Sequence, residues 1–216
     1  MSLFGNEDLD ANIKYFEKLT SKEGLSQLAT MINGCLHRLD IRERNLQPLI
    51  WEIPEIITAL SNVVKLKGFK FRLAFHNNND NNEKALEAFI SEHTRLRNLL
   101  AANKKKINNE EIQLLHWNEG FLGTHSIIGD DDYCVVVESH NPATENVKDR
   151  SDTCGLVNFT YFNSEEIKRR RDIYDQAIGK KPGTKNKYGI CDVMTKYDPS
   201  EIIKQLEKKS LCKTVL

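Results

Sequence analysis

The sequence lacks the features that mark several large classes of protein. Its 216 residues include five cysteines: Cys35, Cys134, Cys154, Cys191 and Cys212. Their wide spacing, with no C-x-x-C pair, argues against a zinc ribbon or a thioredoxin-type site and favours a reducing compartment. No stretch reaches the roughly 20 apolar residues that span a bilayer, and the first residues do not resemble a signal peptide. We therefore expect a soluble, cytoplasmic protein with no membrane span.

The chain also lacks an excess of either charge. It has 31 basic and 31 acidic residues, which gives a formal net charge of zero. The whole molecule therefore has no field that would attract nucleic acid or an anionic membrane, and such binding would need a local patch. The length suits one domain, alone or with a short appendage.

Hydrophobic spacing predicts helices at the start of the chain and an α/β domain after them. Apolar residues at helical intervals predict helices over residues 8–19 and 25–36, which would form an N-terminal cap over residues 1–37. A second unit, over residues 38–179, is predicted to be the α/β domain. Residues 180–216 are predicted to be a basic linker and a short C-terminal helix.

Within the α/β unit, strand-like and helix-like segments alternate. Strands are predicted near residues 36–41, 69–75, 112–117, 124–128, 133–138 and 155–161. Helices are predicted from Pro54 to near Gly68, and over residues 83–103 and 164–178. This order predicts a mostly parallel or mixed sheet with helices on both faces.

The most informative segment is the predicted hairpin over residues 124–138. His125 lies on its first strand, and the turn is acidic, with Asp130, Asp131 and Asp132. Here the chain resembles the phospholipase D-like superfamily, whose motif is H-x-K-x4-D. His125 and Asp132 match the histidine and the aspartate, whereas Ile127 stands where the lysine should be. The order of elements over residues 38–178 also resembles this family, and bacterial phospholipase D-like domains look closest.

The resemblance implies a definite chemistry for active members. One histidine attacks phosphorus, a second protonates the leaving group, and lysines hold the phosphate oxygens, with two motifs meeting across a twofold. This chain has one motif and no motif lysine. We therefore expect a non-catalytic binding or regulatory module, without a cofactor, that recognises a phosphate-bearing ligand, nucleic acid or a protein partner.

Two alternatives stay open at the motif. A homodimer could complete a phosphodiesterase or nuclease in which His125 is the nucleophile and Asp132 supports it. In the other interpretation, His125 is a half-buried histidine bonded to a backbone carbonyl, and we favour that one.

Polar residues at strand ends predict a ligand-binding crevice, because such ends meet at one edge of an α/β sheet. The predicted ligand-binding residues are His116, Trp117, Asn118, Glu119, His140 and Asn158. Trp117 either stacks on a base or sugar or covers the sheet edge. His116 and His140 could hold a metal with the acidic turn, but a turn exposed to water is the favoured interpretation, and no metal site is predicted.

One basic cluster lies on the last predicted helix of the α/β unit. Lys168, Arg169 and Arg171 are candidates for contacts with nucleic-acid phosphates. Consecutive residues fan around a helix and do not share one face, so a solvated helix surface is the default interpretation.

Overall fold

The computed structural model describes residues 13–16, 22–43, 48–75, 82–119, 124–130, 135–140, 154–160, 164–181, 183–188 and 193–211. Within these ranges the strands are β1 (Ile13–Phe16), β2 (Arg38–Glu43), β3 (Lys70–Phe75), β4 (Ile112–Glu119), β5 (Thr124–Gly129), β6 (Val135–His140), β7 (Cys154–Thr160) and β8 (Val193–Lys196). The helices are α1 (Lys22–Gly34), α2 (Pro48–Trp51), α3 (Pro54–Val64), α4 (Asn82–Glu92), α5 (Thr94–Ala102), α6 (Lys104–Asn108), α7 (Ser164–Ala177) and α8 (Pro199–Leu211).

The described strands form one mixed sheet in the order β1-β7-β6-β5-β2-β3-β4-β8. The pairs β2–β3 and β3–β4 are parallel, and the other neighbouring pairs are antiparallel. Parallel neighbours need a crossover, and the helices that follow β2 and β3 provide it. The predicted α/β class, with a mixed sheet and helices on both faces, is confirmed.

The two faces of the sheet carry separate cores. Strand alternation directs Leu39 and Ile41 of β2 into a large apolar cluster with α1, α3, α4, α5, α6 and α8. A smaller cluster on the opposite face joins Trp117 of β4 to Tyr174 and Ala177 of α7. None of the described helices is both long and apolar enough to cross a bilayer.

The prediction of a helix over residues 8–19 is wrong for residues 13–16, the part of this range that the structure describes. Residues Ile13–Phe16 form β1, which pairs antiparallel with β7 from Ile13 opposite Thr160. Three of these four residues are of types that favour strands, and pairing with β7 outweighs the helical spacing of the apolar residues. The second predicted helix does form, as α1, and it packs into the larger core.

Two other segments differ from the sequence-based expectation. The helix predicted over residues 83–103 is divided at His93, whose φ of −109° and ψ of 80° are not helical. Strand β8, inside the predicted basic linker and C-terminal helix, was not expected. It extends the sheet antiparallel to β4 and places Met194 in the smaller core.

Candidate functional site

Most of the predicted site residues belong to one end of the sheet. Residues 116–119 close β4 at the carboxyl end of the parallel strands. His125 lies near the start of β5 and His140 ends β6. Because β5 is antiparallel to β2 and β6 is antiparallel to β5, these positions all lie at the same end of the sheet. The backbone topology therefore places these positions at one end of the sheet, and a ligand-binding crevice there stays a prediction.

The same topology separates the two central histidines. Ser126, Arg42, Ala74 and Leu115 form one row across β5, β2, β3 and β4. His125 and His116 lie in the next row, three strand spacings apart, which corresponds to about 14 Å. His125 pairs with Glu138 of β6, and His140 lies two residues after Glu138 on that strand.

The description of some predicted residues is limited to the backbone. Asn158 lies on β7 and pairs with Val137 of β6. The side chains of Asn118, Glu119, His125, His140 and Asn158 are outside the described part of the structure, and Asp132 lies outside the described residues. Their assigned roles stay predictions.

The position of the motif lysine is part of the hydrophobic core. Ile127 is 1 % exposed and belongs to the larger apolar cluster. It pairs with Ile41 of β2, which is fully buried in the same cluster. A cation at this position would lie among apolar side chains, where an unpaired charge is strongly disfavoured.

Buried polar side chains line the carboxyl ends of β2 and β4. Glu43 accepts a hydrogen bond of 2.6 Å from Trp51 Nε1, and both side chains are buried. The Arg42 guanidinium carbon lies 5.0 Å from the centroid of the Trp117 ring, a cation–π distance. Trp117 is 5 % exposed and packs in the smaller core, so it covers the sheet. His116 is also buried, with its ring centroid 6.1 Å from that of Tyr197.

A second polar site, which the sequence analysis missed, lies between the sheet and α7. Its centre is the fully buried carboxylate of Asp40. Arg72 donates to it from Nε at 2.6 Å and from Nη2 at 2.9 Å, while Arg38 Nε lies at 2.7 Å and Arg171 Nε at 3.5 Å. Burial raises the pKa of Asp40 to about 7, although Arg38 and Arg171 oppose the rise. The available signal was the charged residues that alternate with Leu39 and Ile41 in β2.

The outer side of this site is closed by a second carboxylate. Asp175 of α7 accepts a hydrogen bond from Arg38 Nη2 at 2.9 Å and forms an ion pair with Arg72 Nη1 at 2.6 Å, and its side chain is 45 % exposed. The Arg72 guanidinium also lies 4.4 Å from the Tyr174 ring centroid. The Tyr174 hydroxyl donates to the carbonyl of Ile41 at 3.3 Å. Two arginines are thus held between an inner and an outer carboxylate.

Asp130 fixes the opposite end of β5. Its carboxylate accepts the backbone N–H groups of Leu36, His37 and Arg38 at 2.6, 2.9 and 2.7 Å. Its carbonyl accepts from Arg171 Nη2 at 2.8 Å. Asp130 is 8 % exposed, so the expectation of a water-exposed turn is wrong at this residue. It lies at the other end of β5 from His125, and the described residues contain no group of three or more possible metal ligands.

The basic residues of α7 have different environments. Lys168 and Arg169 are exposed, whereas Arg171 is 8 % exposed and contacts Asp40 and the carbonyl of Asp130. Arg171 therefore attaches the helix to the sheet. Contacts of this helix with nucleic acid stay a prediction, and Lys168 and Arg169 are its accessible members.

Comparison with known proteins finds fold neighbours only. No family model and no curated protein matches the sequence. One solved neighbour is TrmBL2, an archaeal chromatin protein described as showing a novel mode of DNA binding. It is 9 % identical with a TM-score of 0.48, over 82 % of this chain and 54 % of that chain. Another is the phosphatidylserine synthase of Haemophilus influenzae Rd KW20, 14 % identical with a TM-score of 0.49, over 94 % of this chain and 46 % of that chain.

The synthase belongs to the phospholipase D-like superfamily that the hairpin resembles. This chain spans about half the length of each neighbour. Neither likeness assigns an activity to it.

Proposed function

We propose that this chain is a non-catalytic phospholipase D-like module that binds a phosphate-bearing ligand. The observation that carries the proposal is the burial of Ile127 in the larger core at the position of the motif lysine. Phosphoryl transfer depends on cations placed where negative charge develops. By analogy, the loss of one oxyanion-hole donor costs about 2.7–4 kcal/mol of transition-state stabilisation.

The burial of His116 also supports a non-catalytic role. A nucleophile and a general acid that serve the same phosphorus must both reach it, with the attacking atom about 3–3.5 Å away. His116 is 3 % exposed, with its ring centroid 6.1 Å from that of Tyr197, so it is not accessible as the general acid for a ligand at His125. A second histidine would then come from His140 on the neighbouring strand or from a twofold partner, and the twofold partner defines the homodimeric phosphodiesterase alternative.

The arginines near α7 favour a phosphate-bearing ligand over an uncharged one. Arg38, Arg72 and Arg171 converge on the two carboxylates of Asp40 and Asp175. Guanidinium groups match the planar, bidentate geometry of phosphate and carboxylate oxygens. This side of the sheet therefore has local positive charge that the neutral overall composition does not reveal.

The test compares the wild type with His125→Ala, with the exposed His37→Ala as a matched control. Each protein is incubated with bis-p-nitrophenyl phosphate, a phospholipid and nucleic acid, and the binding of each ligand is measured by titration calorimetry. We expect binding of at least one phosphate-bearing ligand and no turnover above the blank. Turnover that His125→Ala abolishes and His37→Ala retains would instead establish the phosphodiesterase. Absence of both binding and turnover would refute the binding module.

A further inference from the structure

We propose that Arg38 and Arg72 form an anion site for a phosphomonoester group, and that the Asp175 carboxylate occupies this site in the unliganded chain. The ligand class rests on the proposed function. The site itself rests on the contacts among these three side chains and Asp40. Binding of the phosphate replaces the two ion pairs of Asp175, so α7 carries an internal competitor of the ligand.

Asp40 orients the two guanidinium groups. It accepts a hydrogen bond from Arg72 Nε at 2.6 Å and forms an ion pair with Arg38 Nε at 2.7 Å, and its own side chain is fully buried. Arg38 Nη2 donates to Asp175 instead, at 2.9 Å, and Arg72 Nη1 forms an ion pair with the same carboxylate at 2.6 Å. The Tyr174 ring, 4.4 Å from the Arg72 guanidinium, further restricts that side chain. Two donors from two strands are therefore fixed toward one partly exposed point.

Asp175 is a replaceable occupant of this point. It lies in the last turn of α7, where the helix dipole places partial negative charge and disfavours a carboxylate. Its side chain is 45 % exposed, so an ion in solvent can approach the arginines beside it. A phosphate offers more acceptor oxygens than a carboxylate and carries up to two charges at neutral pH.

Charge balance defines the ligand more closely. Three guanidiniums, those of Arg38, Arg72 and Arg171, face the carboxylates of Asp40 and Asp175. With Asp40 ionised, as it is above its raised pKa of about 7, a dianionic phosphate that displaces Asp175 from the arginines balances the three cations together with Asp40. A phosphomonoester meets this condition. A phosphodiester carries one negative charge, as Asp175 does, and therefore leaves one positive charge unbalanced.

The test replaces the Asp175 carboxylate with an uncharged amide of nearly the same size. Asp175→Asn and the wild type are titrated with inorganic phosphate in a phosphate-free buffer of low ionic strength. Asp172→Asn is the matched control, because Asp172 lies on the same helix but pairs with Lys187 and Tyr188. We expect the Kd for phosphate to fall at least about tenfold in Asp175→Asn. The control is expected to stay at the wild-type value.

Further arms test the arginines and the source of the phosphate. Arg38→Gln in the Asp175→Asn background should lose the gain in phosphate affinity. If circular dichroism shows that this double variant does not fold, Arg38→Lys is used in place of Arg38→Gln. Adenosine monophosphate and dihexanoyl phosphatidic acid distinguish a nucleotide from a lipid headgroup. The proposal is overturned if Asp175→Asn binds phosphate no more tightly than the wild type, if Asp172→Asn gains equally, or if the arginine variant keeps the gain.

This result is separable from the proposed function. If the wild type binds a phosphate-bearing ligand but Asp175→Asn shows no gain in affinity, the anion site is refuted and the proposed binding function stands. Turnover that depends on His125 would refute the non-catalytic function whatever the phosphate titration shows.

Discussion

The substitution Ile127→Lys introduces the lysine of the H-x-K-x4-D motif that the hairpin resembles, and we expect it to destabilise the fold without creating activity. Ile127 is 1 % exposed in the larger core. Removing a buried isoleucine side chain forfeits about 1.5–3 kcal/mol, and an unpaired buried charge costs about 3–5 kcal/mol. The free energy of unfolding should therefore fall by at least about 4 kcal/mol, a large part of the 5–15 kcal/mol typical of a domain.

The assay is urea unfolding followed by far-UV circular dichroism, with hydrolysis of bis-p-nitrophenyl phosphate measured on the same samples. Ile127→Val tests the packing alone and should cost about 0.5–1.5 kcal/mol. Leu36→Lys adds a lysine at a side chain that is 62 % exposed and should change stability by no more than about 0.5 kcal/mol. The reasoning fails if Ile127→Lys folds with a loss below about 1 kcal/mol and gains turnover that requires His125.

Two further predictions concern the polar network, and a third concerns the exposed basic residues of α7. Asp130→Gly should lower the free energy of unfolding by about 3 kcal/mol in urea unfolding, because three backbone N–H groups lose their acceptor. Asp130→Ala should lower the free energy of unfolding further, because φ is 29° at this position and alanine adopts a positive φ less readily than glycine. A loss equal to or smaller than that of Asp130→Gly would contradict this. The raised pKa of Asp40 means that the folded chain binds more protons between pH 3.8 and about 7, so this carboxyl lowers stability as the pH rises through that window. Asp40→Asn should flatten that part of the stability–pH profile, and an unchanged slope would refute the assignment. Replacing exposed Lys168 and Arg169 with glutamine should reduce the salt dependence of any nucleic-acid binding, whereas salt-independent affinity would exclude a phosphate contact.

The sequence by itself determined the class of the fold and most of its central elements. Period-two alternation predicted β3, a Gly- and Asp-rich turn between two strand-like segments predicted the β5–β6 hairpin, and helical spacing with a proline at its start predicted α3. These segments are predictable because their apolar residues face one core at a fixed local period. It failed at β1, where a short segment with helical spacing pairs with β7, distant in sequence. It also failed at β8, whose four residues join the sheet by pairing with β4.

Only the tertiary structure decided which polar residues meet. The sequence predicted the β5–β6 hairpin that carries His125, because a hairpin is a local pattern, and its resemblance to the H-x-K-x4-D motif stays a prediction. The group around Asp40 unites β2, β3 and α7, and its members Arg38, Arg72 and Asp175 are far apart along the chain. Burial also decided the roles of neighbouring residues, since Arg169 is exposed and Arg171 is enclosed two positions later. Contacts of this kind depend on strand order and helix placement, which no local period encodes.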